Sequence, residues 1–175
     1  SEEYSTWRSY LRVGTRNRNP MVAGVAPHYW RMRNVLPSRG GRFINPKDEE
    51  EKRRVIFLGN KIRDFLFGEG ADAVGEYLYL DGVPFRVIGV LKDKVQNSSY
   101  NSRDEERAYI PSSTFRAMFG HRHINNLIVT AGPELGVSKH VVTRIREVLG
   151  KKYRFDPTDE NALRMWNTSE FFSEF

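Results

Sequence analysis

Reactive chemistry in this 175-residue chain would have to come from four histidines, three acidic clusters or one glycine run. His121-x-His123 would set two imidazoles on one side of a strand, the beginning of a metal site. No carboxylate or further histidine follows at ligand spacing, so the pair reads as surface. His28 and His140 stand alone, the latter on the polar side of its helix. The acidic clusters at 48–51, 104–106 and 156–160 fall in polar segments or at helix starts. Paired carboxylates that trade protons need surroundings that split their pKa values; these three read instead as capping and solubility. The glycines between Gly68 and Gly75 miss the G-x-G-x-x-G spacing, and neither G-x-x-x-x-G-K-[ST] nor G-x-S-x-G occurs. No catalytic, metal-binding or cofactor-binding residue is therefore assigned, no cofactor is expected, and an ATPase is excluded by the missing phosphate loop. The absence of cysteine removes disulfides, thiolate chemistry and Cys-based zinc sites together.

Charge is more informative than any of these groups. The net charge is +6, and all of that excess sits in residues 1–42, where Arg8, Arg12, Arg16, Arg18, Arg31, Arg33, Arg39 and Arg42 face only Glu2 and Glu3. One basic face toward anionic lipid, nucleic acid or an acidic partner protein is expected, with a solvated surface lacking any partner as the plainer account. Tyr10, Tyr29 and Trp30 among arginines suit nucleic acid, but no RNP-like aromatic strand, GXXG clamp or recognition helix is legible. A basic nucleic-acid-binding domain is the alternative function, not the first. The hydrophobic content, 39%, is that of a globular chain of one domain or two small lobes. No apolar run approaches the ~20 residues a membrane helix needs, and SEEYSTWRSY is no secretion signal. The strand-like start and the apolar TSEFFSEF end read as marks of a piece taken from a longer chain.

The elements follow from periodicity and punctuation. Thr6 to Val13 alternates as a strand, a polar turn TRNRNP follows, and Met21 to Val25 is a second strand before a helix opened by Pro27 and running to Arg33. Val55 to Leu58 is a compact apolar strand, and Asn60 caps a helix that turns Ile62, Phe65 and Leu66 inward and ends at Gly68. Tyr77–Leu80 and Val83–Leu91 make a hairpin about Asp81-Gly82. Residues 92–107 carry almost nothing to bury and read as a mobile loop or projecting tip. Ala108–Ile110 is a strand ended by Pro111, and Ser112 or Ser113 caps a helix with Phe115, Met118 and Phe119 inward, closed by Gly120. The last third reads as a strand at 126–130, a helix capped by Ser138 and stopped by Gly150, a strand marked by Tyr153 and Phe155, and a final helix after Thr158.

Five pieces in this order, VAGVAPHYWRMRN at 22–34, GGRFINPKD at 40–48, VIFLGNKIRDFLFG at 55–68, DGVPFRVIGVL at 81–91 and AYIPSSTF at 108–115, carry a resemblance. Together with YRFDPTDENALRMWNT at 153–168, the chain resembles the extracytoplasmic core domain of MacB-type ABC transporter permeases from about Pro20 to Asn167. Its motif positions here are Gly41, Arg42, Phe43, Asp48, Gly59, Gly68, Gly75, Gly82, Gly89 and Pro111. The resemblance implies an α+β fold of two lobes, a porter-like βαβ lobe at 1–36 and 120–175 with a smaller β-rich lobe inserted at 37–119. It implies a non-catalytic body on the extracytoplasmic face of the bacterial inner membrane, part of a multi-pass protein, that relays ATP-driven motion to an adaptor protein or exported cargo. The partners so implied are membrane helices of the same chain, an ABC ATPase domain or subunit and a membrane-fusion adaptor, with no nucleic acid. The isolated domain is expected to be a monomer and the intact permease a dimer. The strand usually following the first membrane helix is not found ahead of Glu2, which puts the pairing of the porter-like edge in question.

Overall fold

Val55-Ile56-Phe57-Leu58 offers no polar side chain to water, and Met21–Val25 is equally apolar, so each needs cover on both faces. Both obtain it. The computed structural model describes residues 1–93, 103–120, 124–130 and 139–165, in two compact units, Ser1–Ile128 and Val129–Phe175. The first unit holds strands β1 (Glu2–Thr6), β2 (Leu11–Val13), β3 (Arg16–Arg18), β4 (Met21–Val25), β5 (Val55–Leu58), β6 (Tyr77–Leu80), β7 (Val83–Val90), β8 (Arg107–Pro111) and β9 (Asn126–Leu127). They form one mixed sheet in the order β3-β2-β6-β7-β5-β8-β4-β1-β9, with β4–β8 and β5–β7 parallel and the other pairs antiparallel.

Helices α3 (Asn60–Phe67) and α4 (Ser112–Phe119) cover one face, burying Ile62, Leu66 and Phe115 against Tyr4, Val22, Ile56, Leu58, Phe85 and Ile110. Phe115 lies so close on Gly24 that a Cβ there would overlap its ring. On the other face, α1 (Tyr29–Arg33) and the segment 35–44 cover only the centre, packing Tyr29, Val35, Phe43 and Ile44 on Ala23, Val25, Phe57, Ile88 and Tyr109. α2 (Pro46–Glu50) follows that segment. Because the cover stops there, β6 alternates Tyr77 and Tyr79 outward with Leu78 and Leu80 inward, the pattern of a strand wet on one side. The mixed α+β class expected from the sequence is the one observed, and the Asp81-Gly82 hairpin is present with both residues at positive φ, 49° and 81°.

Several boundaries differ, each for a local reason. The expected strand Thr6–Val13 is two strands: β1 ends at Thr6, and Trp7 is half exposed while Ser9 is buried. The first strand is thus Glu2–Thr6, lying inside the sheet between β4 and β9. Within TRNRNP, Arg16–Arg18 returns along β2 after a two-residue turn with Gly14 at φ 55°. α1 begins at Tyr29 rather than Pro27, and α3 is capped by Gly59 with Asn60 its first residue and Phe65 largely exposed. Residues 94–102, His121, His123 and Ser138 lie outside the described residues. Where residues 103–107 are described they do bury charge: Asp104 opens a one-turn 3-10 helix, and Arg107 is the first residue of β8.

Pro111 caps α4, and the Ser112 and Ser113 hydroxyls serve elsewhere. The strand expected at 126–130 shortens to Asn126–Leu127. In the second unit, α5 (Lys139–Tyr153) continues past Gly150, taking in Tyr153, and residues 158–165 form turns instead of a helix. Gly150 is there because the chain reverses over it: Phe155 N–H donates to the Gly150 carbonyl at 3.1 Å, and a Cβ would sit 2.8 Å from the Phe155 carbonyl oxygen.

Candidate functional site

The motif positions Gly41, Arg42, Phe43, Asp48, Gly75 and Gly89 gather at one corner, where the segment 38–43 crosses β7. Ser38 N–H donates to Val90 O at 2.8 Å and Arg42 N–H to Ile88 O at 2.9 Å. The crossing is made possible by two glycines back to back. A Cβ on Gly41 would stand 2.8 Å from the Gly89 Cα, and one on Gly89 would overlap the Arg42 carbonyl and press on the Phe57 ring. Gly89 also follows a bulge in the β5–β7 ladder, where Ile56 pairs with Val87 and Phe57 with Gly89. Gly75 N–H, donating to Val87 O at 2.8 Å, adds a third strand-like contact on the same length of β7. Phe43 then enters a cluster of rings with Phe57, Tyr109 and Tyr29 at centroid distances of 4.9, 5.9 and 6.5 Å.

Immediately beyond, Asn45-Pro46-Lys47-Asp48 builds a capping box at the start of α2. Asn45 Oδ1 accepts from Asp48 N–H at 2.9 Å, and Asp48 Oδ2 accepts from Asn45 N–H at 3.0 Å. Arg42 donates to both oxygens of Asp48 at 2.5 and 3.1 Å, and Arg53 stands 3.5 Å away. Asp48 is fully buried. Burial works against its charged form, but the Arg42 and Asn45 hydrogen bonds and the nearby guanidinium charges outweigh it and hold its carboxyl below the usual value. The neighbouring Glu49 accepts from Ser112 Oγ at 2.6 Å and Ser113 N–H at 2.9 Å, placing a carboxylate on the start of α4.

The other motif positions lie apart from this corner. Gly59 caps α3 where the 3-10 turn presses on it; Gly68 and Gly82 sit in turns, and Pro111 ends β8.

A second polar cluster escaped sequence reasoning. Glu3, entirely buried, accepts from Tyr29 OH at 2.6 Å and Asn126 Nδ2 at 2.8 Å, and faces Arg107 at 3.6 Å. Asp104 accepts from Tyr109 OH at 2.9 Å and meets Arg33 at 3.6 Å. Burial first, then the Asp104 charge, push the Tyr109 phenol well above its ordinary pKa. The available signal was the alternation in RAYIP, which sets Arg107 and Tyr109 on one face of a strand.

The groups of this cluster tie strand to helix. Among the described residues no cluster of three or more His, Asp or Glu side chains is placed to hold a metal, and no helix is long and apolar enough to cross a membrane.

Residues 2–146 match the family model for the MacB-like periplasmic core domain. The chain belongs to that family. As a MacB-like periplasmic core domain, it is extracytoplasmic. It is 30% identical over 157 residues to the pyoverdine export ATP-binding/permease protein PvdT of Pseudomonas savastanoi pv. phaseolicola, covering 87% of this chain and 24% of that protein. It is 26% identical over 167 residues to the macrolide export ATP-binding/permease protein MacB of Bdellovibrio bacteriovorus, covering 95% and 25%. The chain thus spans about a quarter of the length of these curated relatives. Its fold matches the extracellular domain of the noncanonic ABC-type transporter YknZ from Gram-positive bacteria, with a TM-score of 0.70 at 18% identity over 89% of this chain and 75% of that one. The periplasmic region of MacB from Actinobacillus actinomycetemcomitans gives 0.66 at 18% identity, over 88% and 65%.

Proposed function

We propose that this MacB-like core domain is a rigid, non-catalytic relay on the outer face of a bacterial inner membrane. It passes motion of membrane helices in its own chain to an adaptor protein or exported cargo, with ATP hydrolysed on a separate domain or subunit. The observation that carries this is where the first unit's ends emerge. β1 and β9 are antiparallel neighbours, Glu2 opposite Leu127, so the chain enters and leaves the sheet side by side. A force applied to either end loads the same strand pair, which β4 ties into the centre of the sheet, where both faces are buried. A relay needs such stiffness and no reactive side chain.

The two-lobe division belongs to the same proposal. β6, β7, β5 and β8, all from 37–119, form one contiguous block, while β4, β1 and β9, from 1–36 and 120–175, form another, with the β2–β3 hairpin on the far edge. In the intact permease the domain works as one of a pair; the isolated chain is a monomer. The test uses the full-length permease, with Gly41→Val at the crossing and, separately, deletion of residues 37–119. Retained ATP hydrolysis with export lost is expected for both. Undiminished export by the deletion variant refutes the relay.

A further inference from the structure

Where the cover of α1 and 35–44 ends, the same sheet face runs on into solvent across β7, β6 and β2. The pairings Tyr77↔Arg86, Tyr79↔Pro84 and Arg12↔Tyr79 put these side chains on one side, while their sequence neighbours Leu11, Leu78, Leu80 and Phe85 are buried on the other. Tyr77 is 61% exposed and Tyr79 40%, with the Arg12 guanidinium 4.8 Å from the Tyr79 ring centroid. Tyr10, 54% exposed, is fixed beside them by a reciprocal pair of bonds: its N–H donates to Asp81 Oδ1 at 2.8 Å and its carbonyl accepts from Asp81 N–H at 3.0 Å. Among the described residues no salt bridge joins Arg12 or Arg86 to a carboxylate.

We infer that this face is a docking surface for a short acidic segment of a partner protein. Exposed tyrosine and arginine, held by a sheet that need not reorganise, are the residue types that dominate protein interfaces, and two arginines without carboxylate partners supply charge complementarity. Tyrosines two residues apart on one strand present their rings at the repeat of an extended chain lying across them. A bilayer would draw on protruding aromatic residues and lysine or arginine at random, whereas here rings and guanidinium groups interleave in fixed register. The inference adds a contact surface to the relay reading and rests on it only for the compartment in which the partner is met.

The test is fluorescence anisotropy on the 175-residue chain with a labelled short glutamate–alanine peptide, at low and physiological salt. The lysine–alanine peptide, phosphatidylglycerol vesicles and a duplex oligonucleotide serve as competitors. Saturable binding of the glutamate peptide is expected, weakened about tenfold or more both by Arg12→Glu with Arg86→Glu and by Tyr77→Ser with Tyr79→Ser. Unchanged melting temperatures of these surface variants confirm that folding is not the cause. Absence of peptide binding, binding indifferent to the tyrosine pair, or equal competition by vesicles or oligonucleotide overturns the inference. Such a failure leaves the export test of the relay untouched, and the reverse also holds.

Discussion

Removing the charge of Asp48 without changing its shape tests whether the corner is braced electrostatically. In Asp48→Asn one side-chain oxygen still accepts from Asn45 N–H, so the capping box survives in part. The Arg42 Nη1 bond at 2.5 Å goes to that same oxygen and weakens with the lost charge, the Nη2 bond at 3.1 Å becomes donor against donor, and the attraction to Arg53 at 3.5 Å goes with them. Hydrogen bonds to charged groups contribute about 1.5–3 kcal/mol each. Arg42, however, keeps 42% of its side chain exposed and regains water when released, which halves the loss to about 2–3 kcal/mol in all. Because the folded-state pKa of Asp48 lies below its unfolded value, its contribution is complete above about pH 4 and disappears as pH falls through the folded pKa. Asp48→Asn has no such group to lose. Urea denaturation of both proteins at neutral pH and in steps toward pH 3 reads the difference directly, and every other carboxylate cancels between them. The gap should be about 2–3 kcal/mol at neutral pH and close on acidification. A gap that stays constant through the acid range would show that Asp48 acts by shape alone.

Gly89→Val places a branched side chain against the Arg42 carbonyl and Phe57, where backbone meets backbone, and should cost about 3 kcal/mol or more, seen as a lower urea midpoint at unchanged slope. Gly82→Ala, at φ 81° in the hairpin turn, should cost about 1 kcal/mol by the same assay. Arg107→Met leaves the Glu3 carboxylate buried beside an apolar chain and should cost about 3–5 kcal/mol; adding Glu3→Gln should restore part of it, and strict additivity would refute the coupling. Alkaline titration followed by phenolate absorbance should show Tyr109 ionising only with unfolding; its stabilising contribution is complete below about pH 10 and is lost as pH rises further.

What could be read from the sequence was whatever local chemistry decides. Asp-Gly between alternating runs has one good solution, a two-residue hairpin turn, and Val55–Leu58 has no polar side chain to leave exposed. The glycine at 89 invited close approach, although which segment approached it depended on the path of residues 38–43. The errors fall where tertiary partners override local pattern. Arg107 and Asp104 were read as solvated because charge is usually wet, yet Glu3 and Arg33, far away in sequence, meet them inside. Gly150 looked like a helix stop because glycine usually ends helices, and it sits within one because a later residue folds over it. The basic excess at 1–42 was legible as a number; its placement was not, since Arg12 shares a face with Arg86 only through two strand pairings.

The buried Glu3 cluster also bears on how the sheet finds its register. β1 is five residues long, and its faces differ sharply: Glu3 points to the side holding Val25 and Tyr29, Tyr4 to the side holding Val22 and Phe115. A slip of one residue would drive the Glu3 carboxylate among Ile110 and Phe115, away from Tyr29, Asn126 and Arg107, and carry Tyr4 away from its ring contact with Phe115 at 6.0 Å. Apolar residues of equal volume at Glu3 and Arg107 would be expected to match the pair in stability, because burying two charges consumes most of what their attraction returns. They would not distinguish one register from its neighbour. In a strand that joins β4 to β9, that discrimination is what fixes one ladder of hydrogen bonds on each side.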